Sequence, residues 1–113
     1  MKWVAQVLLL LHEAFDNGWY IHDSHAIIRQ SQRGITDYDV EDAICADWPE
    51  VIKNYPNYWK GPAVLIRGVV HNRILHIFCT LDDPPLFVTC YRPDPKIWYP
   101  GFRRKRKCGH EMS

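Results

Sequence analysis

The sequence predicts an α+β fold in which N-terminal helices pack on one face of a small antiparallel sheet of three to four strands. Before residue 49, apolar residues recur at helical spacing between capping signals; after it, short apolar runs alternate with turn residues. The connections between these runs are short, and short connections join antiparallel neighbours. With 113 residues, the chain suits a single domain with its own core.

The first predicted helix covers residues 2 to 15 and ends at Asn17-Gly18. Apolar residues lie on all of its sides, so little of it is expected to face water. We expect it to be buried or covered by a partner, and a second copy of the chain is one such partner. The helix is too short to cross a bilayer, and small residues are missing where a signal peptide would be cleaved.

Two further helices follow, each with recognisable ends. Asp23 or Ser24 caps a helix that runs to Arg33 and stops at Gly34. Thr36 caps the next helix, with Asp39 three residues later as a variant of the capping box. Trp48-Pro49 is predicted to end it.

The strands are predicted from short apolar runs. Residues 19–22 form a short possible strand, and the longer candidates are 50–55, 63–70, 73–79 and 86–91. His71-Asn72 reads as a hairpin turn, and residues 82–85 form the turn before the last strand.

The charge is unevenly distributed along the chain. Residues 1–91 carry a net charge of −4 and residues 92–113 carry +5. We therefore divide the chain into a single domain over 1–98, with an apolar N-terminal helix over 1–16, and a basic, flexible tail over 99–113. The four cysteines include no CxxC pair, which favours reduced thiols in a cytoplasmic protein.

The first candidate site is a stripe on the second helix. His25, Arg29 and Arg33 are spaced four residues apart and so share one helix face, where like charges repel by about 0.2–0.5 kcal/mol per pair. A phosphate group would relieve this repulsion and accept bidentate hydrogen bonds. The alternative is that the arginines pair with carboxylates of the third helix and that His25 bonds a backbone carbonyl.

Two strand residues are the next candidates. His76 lies in an apolar strand and shares a face with Ile74 and Phe78. Such a histidine is more often a hydrogen-bonded core residue, unless its face meets the stripe. Tyr91 is a candidate phosphate or base contact, and the alternative for it is a core aromatic with a bonded hydroxyl.

The tail offers a candidate RNA-binding segment. Five consecutive basic residues follow three aromatic ones, and this combination suits phosphates and bases: Arg103, Arg104, Lys105, Arg106 and Lys107. A solvated terminus, or a tail docked on the acidic third helix, is the alternative. No metal site or cofactor is expected, because Cys108 and His110 supply only half of a ligand set and no phosphate-binding glycine loop occurs.

Several short motifs in a fixed order resemble those of domain-of-unknown-function family 4258, a group of small bacterial and cyanobacterial proteins. The resemblance covers about residues 18 to 98. Its motifs are His25-Ala26, Arg29, Arg33 to Thr36, Asp39-Val40, Ala43-Ile44, Tyr55-Pro56, Leu75 to Ile77, Thr89 to Pro93, and Trp98.

The resemblance implies a function that spacing alone does not. Members of this family look similar to the RelE, BrnT and MqsR-like toxins of toxin–antitoxin pairs, small α+β ribonucleases that cleave mRNA without metal. It implies a RelE/BrnT-like fold, a small antitoxin partner of the zinc-finger type, and functional roles for His25, Arg29, Arg33, His76 and Tyr91. The resemblance does not extend to the first helix or to the basic run, so it implies nothing about their roles.

We therefore expect the toxin component of a type II toxin–antitoxin system, a metal-independent endoribonuclease of the hydrolase class that acts on RNA in the bacterial cytoplasm. His25 and His76 would be its base and acid, in either order, and Arg29, Arg33 and Tyr91 would stabilise charge. The alternative is a non-catalytic RNA- or protein-binding module of the same fold.

Overall fold

The computed structural model describes residues 2–46 and 49–94, together with the short pieces 98–99 and 103–104. Its helices are α1 (Lys2–Asp16), α2 (Ser24–Arg33) and α3 (Asp37–Cys45). Its strands are β1 (Ile21–His22), β2 (Glu50–Tyr55), β3 (Ala63–Val70), β4 (Arg73–Thr80), β5 (Leu86–Tyr91), β6 (Trp98–Tyr99) and β7 (Arg103–Arg104). The α+β class is confirmed.

The main sheet has five strands in the order β1-β5-β4-β3-β2. Strands β2 to β5 form the predicted antiparallel meander. Strand β1, however, runs parallel to β5, with Ile21 opposite Leu86 and His22 opposite Phe87. The prediction of a purely antiparallel sheet of three to four strands was therefore wrong. Short connections constrain consecutive strands only, and α2, α3 and three strands separate β1 from β5 along the chain.

The short strands β6 and β7 pair antiparallel in a sheet of their own. Strand β6 spans the boundary predicted between residue 98 and residue 99. The division into a domain and a flexible tail stays a prediction, because most of the tail lies outside the described residues.

Helix ends follow the predicted capping chemistry. Asp23 is the N-cap of α2 and accepts a 2.9 Å hydrogen bond from the backbone N–H of His25. Gly34 ends that helix in the left-handed conformation at φ 65°. Thr36 and Asp39 form a reciprocal capping box at the start of α3. Helix α3 ends at Cys45, and Trp48, where its end was predicted, is outside the described residues.

The helices pack on one face of the sheet, where α3 lies directly on β3. A side chain at Gly68 would place its Cβ only 2.5 Å from the carbonyl oxygen of Ala43. Helix α1 reaches the same face through Phe15, whose ring meets Phe87 edge to face at 6.2 Å. The opposite face carries Phe78, which is contacted by Tyr55 and Tyr58.

Helix α1 is buried on one side only. Val7, Leu11, Ala14 and Phe15 form its buried stripe, whereas Leu9 is 62% exposed. The chain by itself therefore buries only one side of this helix, because a helix lying on a single layer offers only one face for burial. Coverage of its other side by a partner stays a prediction.

Two smaller expectations have clear outcomes within the described residues. Cys45, Cys79 and Cys90 are all free thiols, as predicted. No helix in this part of the chain is both long and apolar enough to span a membrane.

Candidate functional site: an acid–base cluster at the start of α2

A buried carboxylate organises the first candidate site, which we term the acid–base cluster (Asp23, His25 and Lys60). The side chain of Asp23 is only 4% exposed. Its Oδ1 accepts the N–H of His25 and lies 3.3 Å from Nδ1 of the same residue, which donates to it when that nitrogen carries the proton. Its Oδ2 accepts a short hydrogen bond from Nζ of Lys60.

Three parts of the fold bring this cluster together. Asp23 lies between β1 and α2, and its own backbone N–H donates to the carbonyl of Phe87 on β5. His25 follows in the first turn of α2, and Lys60 comes from the connection between β2 and β3. The hydrogen bond from Lys60, followed by that from the His25 backbone, lowers the pKa of the Asp23 carboxyl. The carboxylate therefore stays charged near neutral pH.

His25 and the side chains beside it are open to solvent, whereas Lys60 is only 25% exposed. The His25 side chain is 72% exposed. Arg29 is exposed one turn further along α2 and forms no ion pair or hydrogen bond with any described residue. Trp59 is 80% exposed, and Nζ of Lys60 lies 4.7 Å from the centre of its ring. An accessible imidazole oriented by a fixed carboxylate is suited to proton transfer, with cations and an aromatic ring beside it.

The second group, which we term the Tyr91 cluster, consists of Arg33, His76 and Tyr91. Nη1 of Arg33 donates to the carbonyl of Cys90 at 2.6 Å, and its Cζ lies 5.9 Å from the centre of the Tyr91 ring. Nδ1 of His76 lies 3.3 Å from the Tyr91 hydroxyl. The His76 side chain is fully buried.

The predicted helix stripe is thus divided between two clusters. His25 belongs to the acid–base cluster at one end of α2, and Arg33 belongs to the Tyr91 cluster at the other. His25 is bonded to Asp23 whereas His76 is bonded to Tyr91, and no described contact joins the two histidines.

The alternative prediction was that Arg29 and Arg33 pair with carboxylates of α3. Among the described residues, neither arginine forms such a pair. Arg33 bonds the β5 backbone instead. Asp37 accepts hydrogen bonds from His22 and Gln30, and Glu41 accepts one from Tyr20. These carboxylates therefore anchor the β1 segment and α2 to α3.

Sequence reasoning missed two members of the acid–base cluster and one neighbour of the Tyr91 cluster. Asp23 was recognised only as a helix cap, although its position two residues before His25 was a usable signal. Lys60 had no signal, because it lies 37 residues away from its partner. Arg67, directly opposite His76 in the register and 3.7 Å from Glu50, was visible only as a charge within an apolar strand.

The predicted RNA-binding run is only partly described. Arg103 and Arg104 form strand β7, and Lys105, Arg106 and Lys107 lie outside the described residues. Their role stays a prediction. Within the described chain, no group of three His, Cys, Asp or Glu side chains converges as metal ligands do.

Comparison with known proteins adds a family match. The model of a family described as a domain of unknown function (DUF4258) matches residues 23–92. No curated protein and no solved structure matches the chain. The matched region begins at Asp23 and includes both clusters, and it leaves out α1 and the basic run.

Proposed function

The chain belongs to the DUF4258 family of unknown function, and from that premise we propose that it is a toxin-like, metal-independent endoribonuclease whose acid–base group is His25. One observation carries the proposal: a buried carboxylate at the start of α2 holds both an exposed imidazole and the partly shielded ammonium group of Lys60, with the exposed Arg29 one turn further along the helix. The toxin part of the proposal is supported by the resemblance to RelE, BrnT and MqsR-like toxins.

In the proposed reaction, the ribose 2′-oxygen attacks the adjacent phosphorus while the bond to the 5′-oxygen breaks. His25 removes the proton from the 2′-hydroxyl, and Asp23 stabilises the imidazolium that results. Lys60 donates a proton to the leaving 5′-oxygen, and Arg29 offsets the charge that develops on the phosphoryl oxygens. The products are a 2′,3′-cyclic phosphate and a free 5′-hydroxyl.

The Tyr91 cluster has a supporting role in the proposed reaction. His76 is fully buried, so it cannot meet a substrate directly in this conformation. It orients Tyr91, whose ring in turn lies beside Arg33. We therefore assign His76 as a positioning residue and leave the proton transfers to the acid–base cluster.

The test is cleavage of a single-stranded RNA in the presence of a chelator. His25→Ala should lower the rate about 10²- to 10⁴-fold, the usual contribution of an acid–base group. His71→Ala is the matched control. His71 is also exposed, but it lies on the β3–β4 turn and pairs with Asp39 of α3. Mass spectrometry should find a cyclic phosphate end.

Equal cleavage by wild type and His25→Ala would overturn the proposal. RNA binding without any cleavage by the wild type would instead favour the alternative, a non-catalytic binding module.

We further propose that a neutralising partner covers the outer side of α1. Leu9, Leu10, Trp19 and Pro85 line a shallow apolar groove there, with Glu13 and Asp83 along it. Apolar surface beside carboxylates is complementary to an amphipathic segment that carries Lys or Arg next to its apolar stripe. The resemblance implies a small antitoxin of the zinc-finger type as the source of such a segment.

A further inference from the structure

Two arginines meet where the end of α2 contacts the end of β5. Nη1 of Arg33 donates to the carbonyl of Cys90 at 2.6 Å and lies 3.3 Å from Oγ1 of Thr89. Nη1 of Arg92 donates to the backbone carbonyl of Arg33 at 3.3 Å. The residue that follows β5 by one position, Arg92, therefore brings a second guanidinium group to the residue that carries the first.

The contacts of these arginines leave their positive charges uncompensated. All three acceptors are neutral, and neither arginine forms an ion pair with a carboxylate of the described residues. Arg33 is exposed and uses one of its terminal nitrogens in these bonds, although a guanidinium group has five N–H donors. Several donors and two charges therefore remain for a ligand.

A purely structural role explains only part of this arrangement. A cation near a helix C-terminus stabilises the helix by about 0.3–1 kcal/mol, and Arg92 gains this at the end of α2. Arg33 has a different structural role, because its bond to the carbonyl of Cys90 connects the end of α2 to β5. Neither role requires two uncompensated positive charges at this one junction, whereas an anion bound by both arginines would neutralise charge on both.

We infer that Arg33 and Arg92 form a subsite for a backbone phosphate of the RNA strand, separate from the phosphate that is cleaved. This inference rests on the proposed function. From His25 to Arg29 and on to Arg33, successive residues are offset by about 6 Å along the helix axis, so Arg33 lies about 12 Å from the acid–base cluster. The strand runs along α2, with the scissile phosphate at His25 and a neighbouring phosphate at Arg33 and Arg92.

The experiment measures binding of a 2′-O-methyl single-stranded RNA, which cannot be cleaved, by fluorescence anisotropy between 50 and 200 mM salt. Each lost phosphate contact on a single strand reduces the slope of log affinity against log salt by about 0.7. Arg33→Gln with Arg92→Gln removes the one phosphate contact that both arginines share, so it should reduce the slope by about 0.7. Over this fourfold salt range, the wild type should lose about 2.6-fold more affinity than the double variant.

Charge-preserving variants separate binding from folding. Arg33→Lys with Arg92→Lys should keep the wild-type slope, because both charges remain. Lys53→Gln, which removes an exposed charge on β2 at the opposite edge of the sheet, should also leave it unchanged. If the double glutamine variant does not fold, Arg92→Gln alone should still reduce the slope, by up to about 0.7.

An unchanged slope in a folded glutamine variant would overturn the inference. So would an equal loss of slope in the lysine and glutamine variants, because that would trace the effect to the anchoring of α2. The proposed nuclease can fail independently: RNA binding with the predicted slopes but no cleavage refutes the nuclease and leaves the subsite.

Discussion

The ion pair between Asp23 and Lys60 should make a measurable contribution to the stability of the fold. Asn at position 23 can still cap α2, since Asn and Asp are about equally good caps. Asp23→Asn therefore removes the charge pair and leaves the cap. Both side chains are largely shielded, at 4% and 25% exposed. A hydrogen bond between charged groups in such a setting contributes about 1.5–3 kcal/mol.

We expect Asp23→Asn to lower the free energy of unfolding by about 2 kcal/mol at pH 7. For a chain of this size that is a decrease in Tm of about 8 °C. Asp23→Ala should cost about 1 kcal/mol more, because the cap is lost as well. Urea unfolding followed by tryptophan fluorescence measures all three proteins.

The pH dependence provides an independent check. In the folded state the pKa of Asp23 lies below its ordinary value of 3.8, chiefly because Lys60 donates to the carboxylate. A lowered folded pKa means that the contribution is complete above pH 3.8 and is lost as the pH falls through the folded pKa. The gap between wild type and Asp23→Asn should therefore be constant from pH 7 to about 5 and shrink below about 4.

A double-mutant cycle with Lys60→Met tests the assignment to this pair. Once Asp23 is changed to Asn, adding Lys60→Met should cost little more, because the interaction is already gone. Additive losses, or a gap that does not change between pH 7 and pH 3, would refute the reasoning.

Two further predictions concern packing and partners. Gly68→Ala should lower the free energy of unfolding by about 1–3 kcal/mol. Adding Ala43→Gly should not restore it, because the 2.5 Å contact is with the backbone carbonyl oxygen of Ala43. Full recovery of the free energy of unfolding in a urea titration of the double variant would contradict this. For the α1 groove, a designed amphipathic helix with lysines beside a leucine stripe should bind the wild type, and Leu9→Ser should weaken binding. Equal binding of a version of that helix with glutamates in place of the lysines would contradict the proposal. Light scattering that shows a wild-type dimer, converted to a monomer by Leu9→Ser, would also contradict it.

The helix boundaries and the meander could be predicted because their signals are local. Asp23, Gly34, Thr36 and Asp39 act on backbone groups within a few residues, so their roles are visible in the order of residues alone. The strands β3 to β5 were likewise visible as apolar runs between turn residues. The parallel pairing of β1 with β5 was not, because no local pattern relates segments that far apart in the chain.

The candidate site likewise has features that could be predicted from the sequence and features that could not. The spacing of His25, Arg29 and Arg33 correctly placed them on one helix, and it suggested one shared function for the three. In the structure the ends of that helix meet different neighbours, a buried carboxylate at one end and the backbone of β5 at the other.

The order of residues was enough to predict helices α1 to α3, strands β1 to β5 and the positively charged side chains that share the exposed side of α2. Which group each of those side chains contacts depends on the packing of the whole fold. Lys60 reaches Asp23 from 37 residues away, and Arg33 reaches Cys90 from 57 residues away. Capping and periodicity depend on bonds within one or two turns, whereas these partners are chosen by how the helices and the sheet pack together.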